Sequence, residues 1–417
     1  MAQKALYDWS NGAKLDEHSR RKLKVLREYF AKYLRVRCSL PQQEKFRLAI
    51  VDGFAGGGRY NSGDAGSPLI FLEELMLASR QLNAQRFENG HKPLKIECLL
   101  ILNDADPNAI DALKANIAPL LAEINEMQEQ LSVRVEYRQK QFEDAVFEVE
   151  TFLSGNSFRN VLFNLDQYGH SLVNRTTIMR LMNLSNSVEV FYTFSISALI
   201  AFLNKQDPVG LRAQLSYLQL AESDLRAFEG PMSNSDWMGK AEQIVFNAFR
   251  DCAPFHSPFS INNPAGWRYW LVHFSRQYRA REVYNNVLHD NATMQAHFGR
   301  SGLNMLSYDP AQDGALYLFD DDGRSSAIDQ LTEDIPRLVS ASGDAISVGE
   351  FYEAIYNLTP AHADDVKAAM FNSPDLEVLT GRGHLRRSFN RVAVTDHLRL
   401  KAQPTFFPLF KPTFKTR

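Results

Sequence analysis

The stretch from Leu48 to Tyr60, reading LAIVDGFAGGGRY, constrains the fold of this chain more than any other. Its apolar run ends in Asp52, and four glycines follow: Gly53, Gly56, Gly57 and Gly58. Ser67 and Pro68 then begin a helical pattern, since Ser can cap a helix and Pro fits its first turn. A strand, a glycine loop and a helix in this order predict the start of a βαβ nucleotide-binding unit.

The glycine spacing narrows the ligand class. It does not follow GxGxxG, the dinucleotide pattern, and it lacks the lysine of GxxxxGK[ST] that a triphosphate needs. An acidic residue, an apolar residue and a glycine-rich turn form the pattern with which class I methyltransferases bind S-adenosylmethionine. We therefore predict a cofactor site at Asp52, Gly53, Phe54, Gly56 and Gly58, where backbone can approach a ligand closely. A purely structural tight turn is the alternative.

Alternating strand and helix patterns continue through residue 204 and predict a parallel α/β sheet. The later strands are expected at Leu94–Leu102, Val133–Tyr137, Val161–Leu165 and Glu189–Phe194. Because ligands bind at the carboxyl ends of such strands, the residues that follow each strand are the candidate site residues.

Acidic residues follow the second and third strands. We predict that Asp104 binds the ribose hydroxyls, with Asp106 as the near alternative. After the third strand, Glu143 or Asp144 is expected to face the adenine amino group, with Phe142 against the ring. For all four carboxylates the competing interpretation is a helix cap.

The fourth strand ends in the sequence Asp166-Gln167-Tyr168-Gly169-His170. A carboxylate at Asp166 can accept a hydrogen bond from a substrate amine or hydroxyl, and Tyr168 can stack on a flat base. His170 can move a proton near neutral pH. We therefore predict Asp166, Tyr168 and His170 as the catalytic residues, and a strand-to-helix turn with an aspartate cap is the alternative.

Residues 205–325 carry weaker patterns. EQIVFNAFRDCAPF reads as a helix, Trp267–Ser275 as a strand, and RQYRAREVYNNVLHDNATMQAHF as a second helix. The strand and the second helix are expected to complete the sheet. His273 and the arginines that begin the helix are either phosphate ligands or parts of a core strand and a solvated helix. The acidic run at residues 320–322 is expected in a loop.

The last segment, residues 326–417, predicts a winged-helix domain: three helices, then two strands around the turn at residues 381–384. Its third helix, HADDVKAAMF, is acidic at its start and makes a poor recognition helix. From residue 381 onward the chain has nine Lys or Arg against one acidic residue. We predict that the wing binds nucleic acid backbone through Arg382, Arg386, Arg387 and Arg391. A protein-binding winged helix is the alternative.

The remaining part of the chain, residues 1–45, contains a helical pattern over residues 14–37 with one apolar and one basic face. The basic face is either a phosphate-facing surface or a solvated one. The sequence thus predicts three parts: an N-terminal basic helix (1–45), a methyltransferase-like Rossmann domain (46–325), and a winged-helix domain with a basic tail (326–417).

Two of these motifs resemble the three-Cys-motif partner protein (TcmP) family. Val51–Tyr60 matches its pattern xDGFAGxGxY, and Gly66–Leu69 matches its GSPL. The family's Asp-Pro-aromatic-Gly motif reads Asp-Gln-Tyr-Gly here, with Gln167 in place of the Pro. The resemblance implies a class I methyltransferase-like fold and a partner protein that carries the three-cysteine motif. The family is typically bacterial, which suggests a role in defence against foreign DNA.

The composition indicates which class of protein this is and in which compartment we expect it. Of 417 residues, 45% are hydrophobic and 23% charged, as in soluble globular proteins. No apolar run reaches the roughly 20 residues of a membrane span, and the N-terminus has no apolar signal core. Three widely spaced cysteines argue against disulfides and a zinc site, so we expect no metal and a reducing cytoplasm.

Together these features support two functional hypotheses. The first is an S-adenosylmethionine-dependent methyltransferase that acts on nucleic acid, held by the winged helix. The second is a DNA- or nucleotide-binding partner subunit that keeps the fold without the chemistry, and the departure at Gln167 favours it.

Overall fold

The structure is a computed structural model that describes residues 8–9, 12–127, 129–196, 198–199, 215–220, 226, 234–262, 268–291, 295–298, 316–317 and 320–402. These residues fall into two compact units. The first contains the described residues up to His297, and the second contains those from Phe298 onward.

In the first unit, strands and helices alternate through β5, as the hydrophobic periodicity predicts. The helices are α1 (Glu17–Arg37), α2 (Ser67–Glu88), α3 (Pro107–Glu126), α4 (Phe142–Gly155), α5 (Arg175–Met182), α6 (Asn234–Arg250) and α7 (Tyr278–Asp290). The strands are β1 (Lys45–Asp52), β2 (Lys95–Asn103), β3 (Leu131–Arg138), β4 (Asn160–Leu165), β5 (Ser187–Phe194), β6 (Phe255–Asn262), β7 (Arg268–Ser275) and β8 (Gln295–Phe298). A 3-10 turn lies at Ser216–Leu218.

The sheet of this unit has the strand order β3-β2-β1-β4-β5-β7-β6, with β8 beside β6. Strands β1 to β5 run parallel, and β7 runs antiparallel to both β5 and β6. This order, with its late antiparallel strand, is that of the class I methyltransferase sheet. Central strand β1 is buried without interruption from residue 48 to 52, because helices cover both faces of a parallel sheet.

Helix α1 packs against α2 and α7 through its apolar face. Leu23, Leu26, Phe30 and Leu34 are buried, which confirms the helical spacing read from the sequence. Several of its cations contact carboxylates elsewhere in the same unit, namely Arg20, Lys22, Arg27 and Lys32. Much of the basic face is therefore used inside the unit rather than presented as a phosphate-binding surface.

Two features of residues 205–325 differ from the prediction, and a third decides between the two alternatives for His273. The sequence analysis missed β6, because Pro258 interrupts an otherwise alternating run and prolines demote strand patterns. The helix expected to reach residue 298 ends at Asp290, and β8 follows. His273 and Arg281 are fully buried in the unit, so neither is open to a substrate phosphate.

The second unit contains helices α8 (Asp321–Ala341), α9 (Val348–Ile355) and α10 (Ala363–Asn372), a 3-10 turn at Phe389–Arg391, and strands β9 (Leu316–Tyr317), β10 (Ala345–Ser347), β11 (Leu376–Leu379) and β12 (His397–Leu400). Strand β12 lies between β10 and β11 and runs antiparallel to both. Three helices with a β11–β12 hairpin form the predicted winged helix. The basic residues beyond 402 lie outside the described residues.

Local interactions explain the helix starts of the second unit. Asp320 caps α8 by accepting a hydrogen bond from the Gly323 N–H at 2.7 Å, so the acidic run begins a helix and not the expected loop. Ser347 and Glu350 form a reciprocal capping box at the start of α9. Arg324 of α8 forms two hydrogen bonds, of 2.9 and 2.6 Å, with the buried carboxylate of Asp365 in α10.

The cysteines, the lengths of the helices and the grouping of possible metal ligands can be compared with the composition of the sequence. Cys38, Cys98 and Cys252 are free thiols, each buried, and burial raises the pKa of each. Among the described residues, no helix is both long and apolar enough to cross a membrane. Across the same ranges, no cluster of three or more His, Cys, Asp or Glu side chains is arranged to hold a metal ion.

Candidate cofactor and substrate site

Three acidic residues reach one edge of the sheet at the carboxyl ends of β1, β2 and β4. β1 lies between the other two strands, and Asp52 pairs in register with Leu102 of β2 and Asn164 of β4. Asp104 and Asp166 each follow these register positions by two residues. The three strand ends therefore lie at one edge of the sheet, as the sequence predicts, where α/β proteins bind ligands.

Asp52 is fully buried and joins three segments of the chain. One carboxylate oxygen accepts a hydrogen bond from the Ser67 hydroxyl at 2.6 Å. The other accepts from the Asn164 side-chain amide at 3.2 Å and from the Phe54 N–H at 3.4 Å. Burial raises the pKa of Asp52 to about 7, although these hydrogen bonds act to lower it.

The position of Ser67 differs from the expectation. Ser67 is the first residue of α2 and Gly66 is the N-cap, so the serine hydroxyl is not a helix cap. It donates instead to Asp52, across the base of the glycine loop. Asp52 therefore acts as an internal support of this loop.

Asp104 binds the glycine loop itself. Its half-buried carboxylate accepts hydrogen bonds from the Gly56 N–H at 2.8 Å and the Asp106 N–H at 2.9 Å. Gly56 has a φ of +59°, in the left-handed region that favours glycine. Burial raises the pKa of Asp104. Asp106 caps α3 through the Asn108 N–H at 2.9 Å. The ribose role of Asp104 stays a prediction.

Trp9 lies directly on the glycine loop. A Cβ added to Gly56 would be 2.5 Å from the Trp9 ring, and one added to Gly57 would be 2.4 Å from it. The ring centroid of Trp9 is 5.5 Å from that of Tyr60. Two of the four glycines are thus required by a side chain of this chain. A ligand that approaches them from the same side has to contact or displace Trp9.

The other two glycines of the loop, Gly53 and Gly58, lie against side chains of the hydrophobic core. A Cβ on Gly53 would lie 2.8 Å from both Leu165 and Phe142, and one on Gly58 would lie 2.8 Å from two leucine side chains. Phe142, which we expected against the adenine ring, is 1% exposed and belongs to the core. Phe54 is half-buried, with its ring centroid 5.9 Å from that of Phe142.

The two carboxylates after β3 have different surroundings. Glu143 uses both oxygens at the start of α5: one accepts from the Asn174 N–H at 2.7 Å, the other from the Thr177 hydroxyl at 2.8 Å. Asp144, in the first turn of α4, is exposed. Of the two residues predicted to face adenine, Asp144 is the one whose carboxylate is open.

Asp166 is held by a cation from α1. The Lys22 Nζ lies 2.5 Å from Asp166 Oδ1, and the lysine side chain is only 9% exposed. Within the part of the chain that the structure describes, Oδ2 has no hydrogen-bond partner. Asp166 therefore presents a carboxylate with one oxygen fixed and one open.

Gln167 organises the turn that follows β4. Its side chain is buried, donates to the Tyr192 hydroxyl at 2.7 Å, and accepts from the N–H groups of Leu172 and Val173 at 2.8 and 3.1 Å. Gly169, at a φ of +96°, adopts a backbone conformation that favours glycine. The hydrogen bonds of Gln167 therefore hold this turn against β5.

The other two predicted catalytic residues lie on this turn. Tyr168 is 44% exposed, so its ring is accessible to a flat ligand. His170 is half-buried, with ring centroids 6.2 Å from Phe194 and 5.7 Å from Tyr217. Burial lowers the pKa of His170, so its imidazole is neutral at pH 7 and can accept a proton.

The sequence analysis did not identify the α1 side of this site. Besides Lys22, His18 stacks on Tyr269 of β7, with ring centroids 4.2 Å apart and an interplanar angle of 2°. Burial raises the pKa of Tyr269. The sequence contains little indication of this, because His18 and Lys22 lie in the basic part of α1. A buried lysine there cannot be distinguished by sequence from the solvated lysines around it.

The wing of the second unit divides the four predicted arginines into two kinds. Arg386 forms two hydrogen bonds, of 2.7 and 2.9 Å, with the buried carboxylate of Asp396. Burial alone would raise the pKa of Asp396, but this guanidinium and a backbone hydrogen bond hold it below its usual value. Arg382, Arg387 and Arg391 are exposed and are the members open to a phosphate backbone.

We expect Asp52→Asn to reduce the loss of stability with rising pH. A carboxyl with a pKa of about 7 in the fold and about 4 when unfolded stabilises the fold fully below about pH 4, and this contribution is lost as the pH rises through about 7. The contribution is about 4 kcal/mol at most. Urea unfolding at pH 5 and pH 8 should therefore show a larger difference for the wild type than for the variant.

The matched control is Asp64→Asn, because the pKa of Asp64 is lowered by Ser62 and Arg20 and this carboxyl stays ionised across that range. It should keep the wild-type difference between the two pH values. Equal differences in the wild type and Asp52→Asn would contradict the assignment.

Comparison with known protein families supports the winged helix of the second unit. A family described as the GMT-like wHTH domain matches residues 307–380. A putative O-methyltransferase from Klebsiella pneumoniae is similar over 63% of this chain and 91% of its own, at 10% identity and a TM-score of 0.24. A TM-score this low carries no argument, so the fold assignment rests on the strand order. No curated protein matches the chain. The chain therefore combines a methyltransferase-like α/β fold with a winged-helix domain.

Proposed function

We propose that this chain is an S-adenosylmethionine-dependent methyltransferase that acts on nucleic acid. The observation that carries the proposal is the carboxyl edge of the class I sheet, where a glycine loop lies between the acidic ends of β2 and β4. In sheets of this kind the ligand crevice lies at that edge. The winged helix and its exposed arginines support a polymeric, anionic substrate.

The polar groups of the edge fit this cofactor. Asp104 is half-buried beside the glycine loop, where a ribose hydroxyl can reach a carboxylate. Asp144 is exposed for the adenine amino group, and Phe54 is half-buried beside the loop. Asp52 has no solvent contact, so it would support the loop without touching the cofactor. When bound, S-adenosylmethionine supplies an electrophilic methyl group.

The residues after β4 would orient the acceptor. Asp166 can accept a hydrogen bond from an amine or hydroxyl through Oδ2, while Lys22 holds Oδ1 in place. Tyr168 is exposed for stacking on a base, and neutral His170 can take the proton that the acceptor releases. Methyl transfer depends mainly on alignment, so these positioning contacts would supply most of the rate.

A second candidate is a methyltransferase-like binding subunit without chemistry. Two observations favour it: Gln167 replaces the proline that offers a carbonyl to an acceptor amine, and Trp9 lies on the glycine loop. In that case the protein would bind DNA or a nucleotide beside a partner that carries the three-cysteine motif. The family resemblance supports such a partner and a bacterial defence role, and three buried free thiols suit a reducing cytoplasm.

The cofactor assignment is tested by calorimetric titration with S-adenosylmethionine and S-adenosylhomocysteine. We expect the wild type to bind both and Asp104→Ala to lose most of the affinity, because Asp104 both shapes the loop and faces the ribose. Asp106→Ala is the matched control: it removes only the cap of α3 and should bind as the wild type does. No binding by the wild type would overturn the enzyme proposal. Loss in Asp106→Ala alone would move the ribose contact to Asp106.

The acceptor assignment predicts that Asp166→Ala lowers the transfer rate about a hundredfold or more, because one preorganised polar contact is lost. Cofactor affinity should not change. Transfer of a labelled methyl group to mixed single- and double-stranded DNA and RNA measures the rate. Lys22→Met should give a smaller loss, since it leaves the carboxylate present but unoriented. An Asp166→Ala protein as active as the wild type would count against this role.

The nucleic acid assignment predicts that substituting one of two neighbouring arginines changes the stability of the second unit, whereas substituting the other changes its affinity for nucleic acid. Arg386→Ala should lower the free energy of unfolding of the second unit, because it removes both guanidinium hydrogen bonds from the buried carboxylate of Asp396. Arg387→Ala should leave stability unchanged and weaken binding to DNA and RNA with a shallower salt dependence. Unfolding and fluorescence anisotropy on both variants check this. Unaltered affinity in Arg387→Ala, Arg382→Ala and Arg391→Ala together would refute a nucleic acid wing.

A further inference from the structure

The opposite edge of the sheet carries a cavity of about 300 Å³. Its walls come from α1, from the start of β5 and from the turn that joins β7 to α7. Because β5 begins here, the cavity lies at the amino edge of the parallel strands, away from the edge where the cofactor is proposed. Its volume is at the lower end of the range of small-molecule sites.

Glu189 forms the floor of this cavity. The residue is 7% exposed, and its Oε2 accepts a hydrogen bond from the Tyr29 hydroxyl. The same oxygen lies 3.2 Å from the His273 Nε2. Burial lowers the pKa of His273, although Glu189 acts to raise it, so the neutral ring donates its Nε2–H to the carboxylate. Both donors thus act on one oxygen.

The other oxygen of Glu189 is the open one. Within the described ranges, Oε1 has no hydrogen-bond partner, while the residue lines the cavity. A carboxylate oxygen that lines a cavity and has no protein donor can accept a hydrogen bond from a ligand. The floor of the cavity is therefore suited to an N–H donor of a ligand.

The mouth of the cavity is cationic. Arg37, Arg276 and Arg279 line it, and each is oriented by a hydrogen bond within the unit. The partner of Arg279 is the buried carboxylate of Glu282, whereas Arg37 and Arg276 have neutral partners. A guanidinium has five N–H groups, so these bonds leave donors for a ligand. Helix α7 also begins here, and its N-cap Gln277 makes no side-chain capping bond. The positive end of the helix dipole adds to the attraction for an anion.

One face of α1 links floor and mouth. Tyr29, Tyr33 and Arg37 follow one another at intervals of four residues, so they lie along the same side of the helix. The two tyrosines are 1% and 4% exposed, whereas Arg37 is half-buried. The wall therefore changes from aromatic at the floor to cationic at the mouth. Such a wall suits a flat ring with an anionic group at one end.

We propose that this cavity binds a nucleoside monophosphate whose base carries an exocyclic amino group. The amino group donates to Glu189 Oε1, the base lies against the tyrosine wall, and the phosphate meets the arginines and the start of α7. The site is separate from the proposed cofactor site, and its occupation does not depend on methyl transfer.

Cytidine and uridine monophosphate make a matched pair of probes, because they differ at one position of the base: an amino group in cytidine and a carbonyl in uridine. Calorimetric titration of the full chain, with S-adenosylhomocysteine saturating, keeps the probes away from a cofactor site. We expect cytidine monophosphate to bind at least about tenfold more tightly than uridine monophosphate. The carbonyl of uridine is a hydrogen-bond acceptor, so it cannot donate to the Glu189 carboxylate. Inorganic phosphate should bind more weakly than either.

Two variants separate the floor from the mouth. Arg276→Gln should weaken the binding of cytidine monophosphate about tenfold, through loss of one charged contact to the phosphate. The present partners of Arg276 are a backbone carbonyl and an amide oxygen, so this variant leaves no buried carboxylate unpaired. Glu189→Gln should abolish the preference for cytidine, because an amide can satisfy either base. Arg35→Gln, in the last turn of α1 but outside the cavity lining, is the control and should bind as the wild type does.

The proposal is overturned if neither nucleotide binds, if both bind equally to the wild type, or if Arg276→Gln binds as Arg35→Gln does. Inorganic phosphate binding as tightly as cytidine monophosphate would also overturn it, since the base would then contribute nothing. If Glu189→Gln does not fold, the nucleotide preference of the wild type and the Arg276→Gln result decide. Failure of the methyltransferase proposal would leave all of these readouts unchanged.

Discussion

The first unit depends on one buried carboxylate. Asp52 ends the central strand and is bonded by Ser67 of α2, Asn164 of β4 and the backbone of Phe54. These bonds join β1, β4, the glycine loop and helix α2 at one buried point. The loop above them can then adopt a left-handed residue at Gly56, because its two sides are fixed from below. The hydrogen bond between Asp52 and Asn164 also connects the end of β1 to the neighbouring strand β4.

The sequence was sufficient to predict elements whose pattern is local. Strands β1 to β5 follow apolar runs between helical patterns, and the winged helix follows from three helices and a glycine turn. Strand β6 was missed because Pro258 breaks its alternation. The contacts within the site were harder to predict from the sequence, because they join residues that are far apart in the chain. Lys22 and Asp166, for example, are 144 residues apart. A sequence indicates that a carboxylate ends a strand, but the partner of that carboxylate depends on tertiary packing.

Residues of the same type serve different purposes in both units. In the wing, Arg386 neutralises a buried carboxylate while its neighbour Arg387 faces solvent, so counting basic residues overstates the surface available to a phosphate backbone. Glu143 and Asp144 show the same division, because the first supports the start of α5 and the second is exposed. Adjacent identical charges therefore separate into structural and accessible groups only when burial is known.

Gln167 shows how differently a turn can be fixed. A proline restricts its φ angle in the unfolded chain as well as in the fold, whereas a glutamine acts only once its partners are in place. One of those partners is the hydroxyl of Tyr192 in the core of the sheet. The loop that carries Tyr168 and His170 is therefore ordered by the packing of β5 and not by its own covalent structure. Substitutions deep in the sheet, far from any ligand, can thus alter the geometry of the candidate catalytic residues.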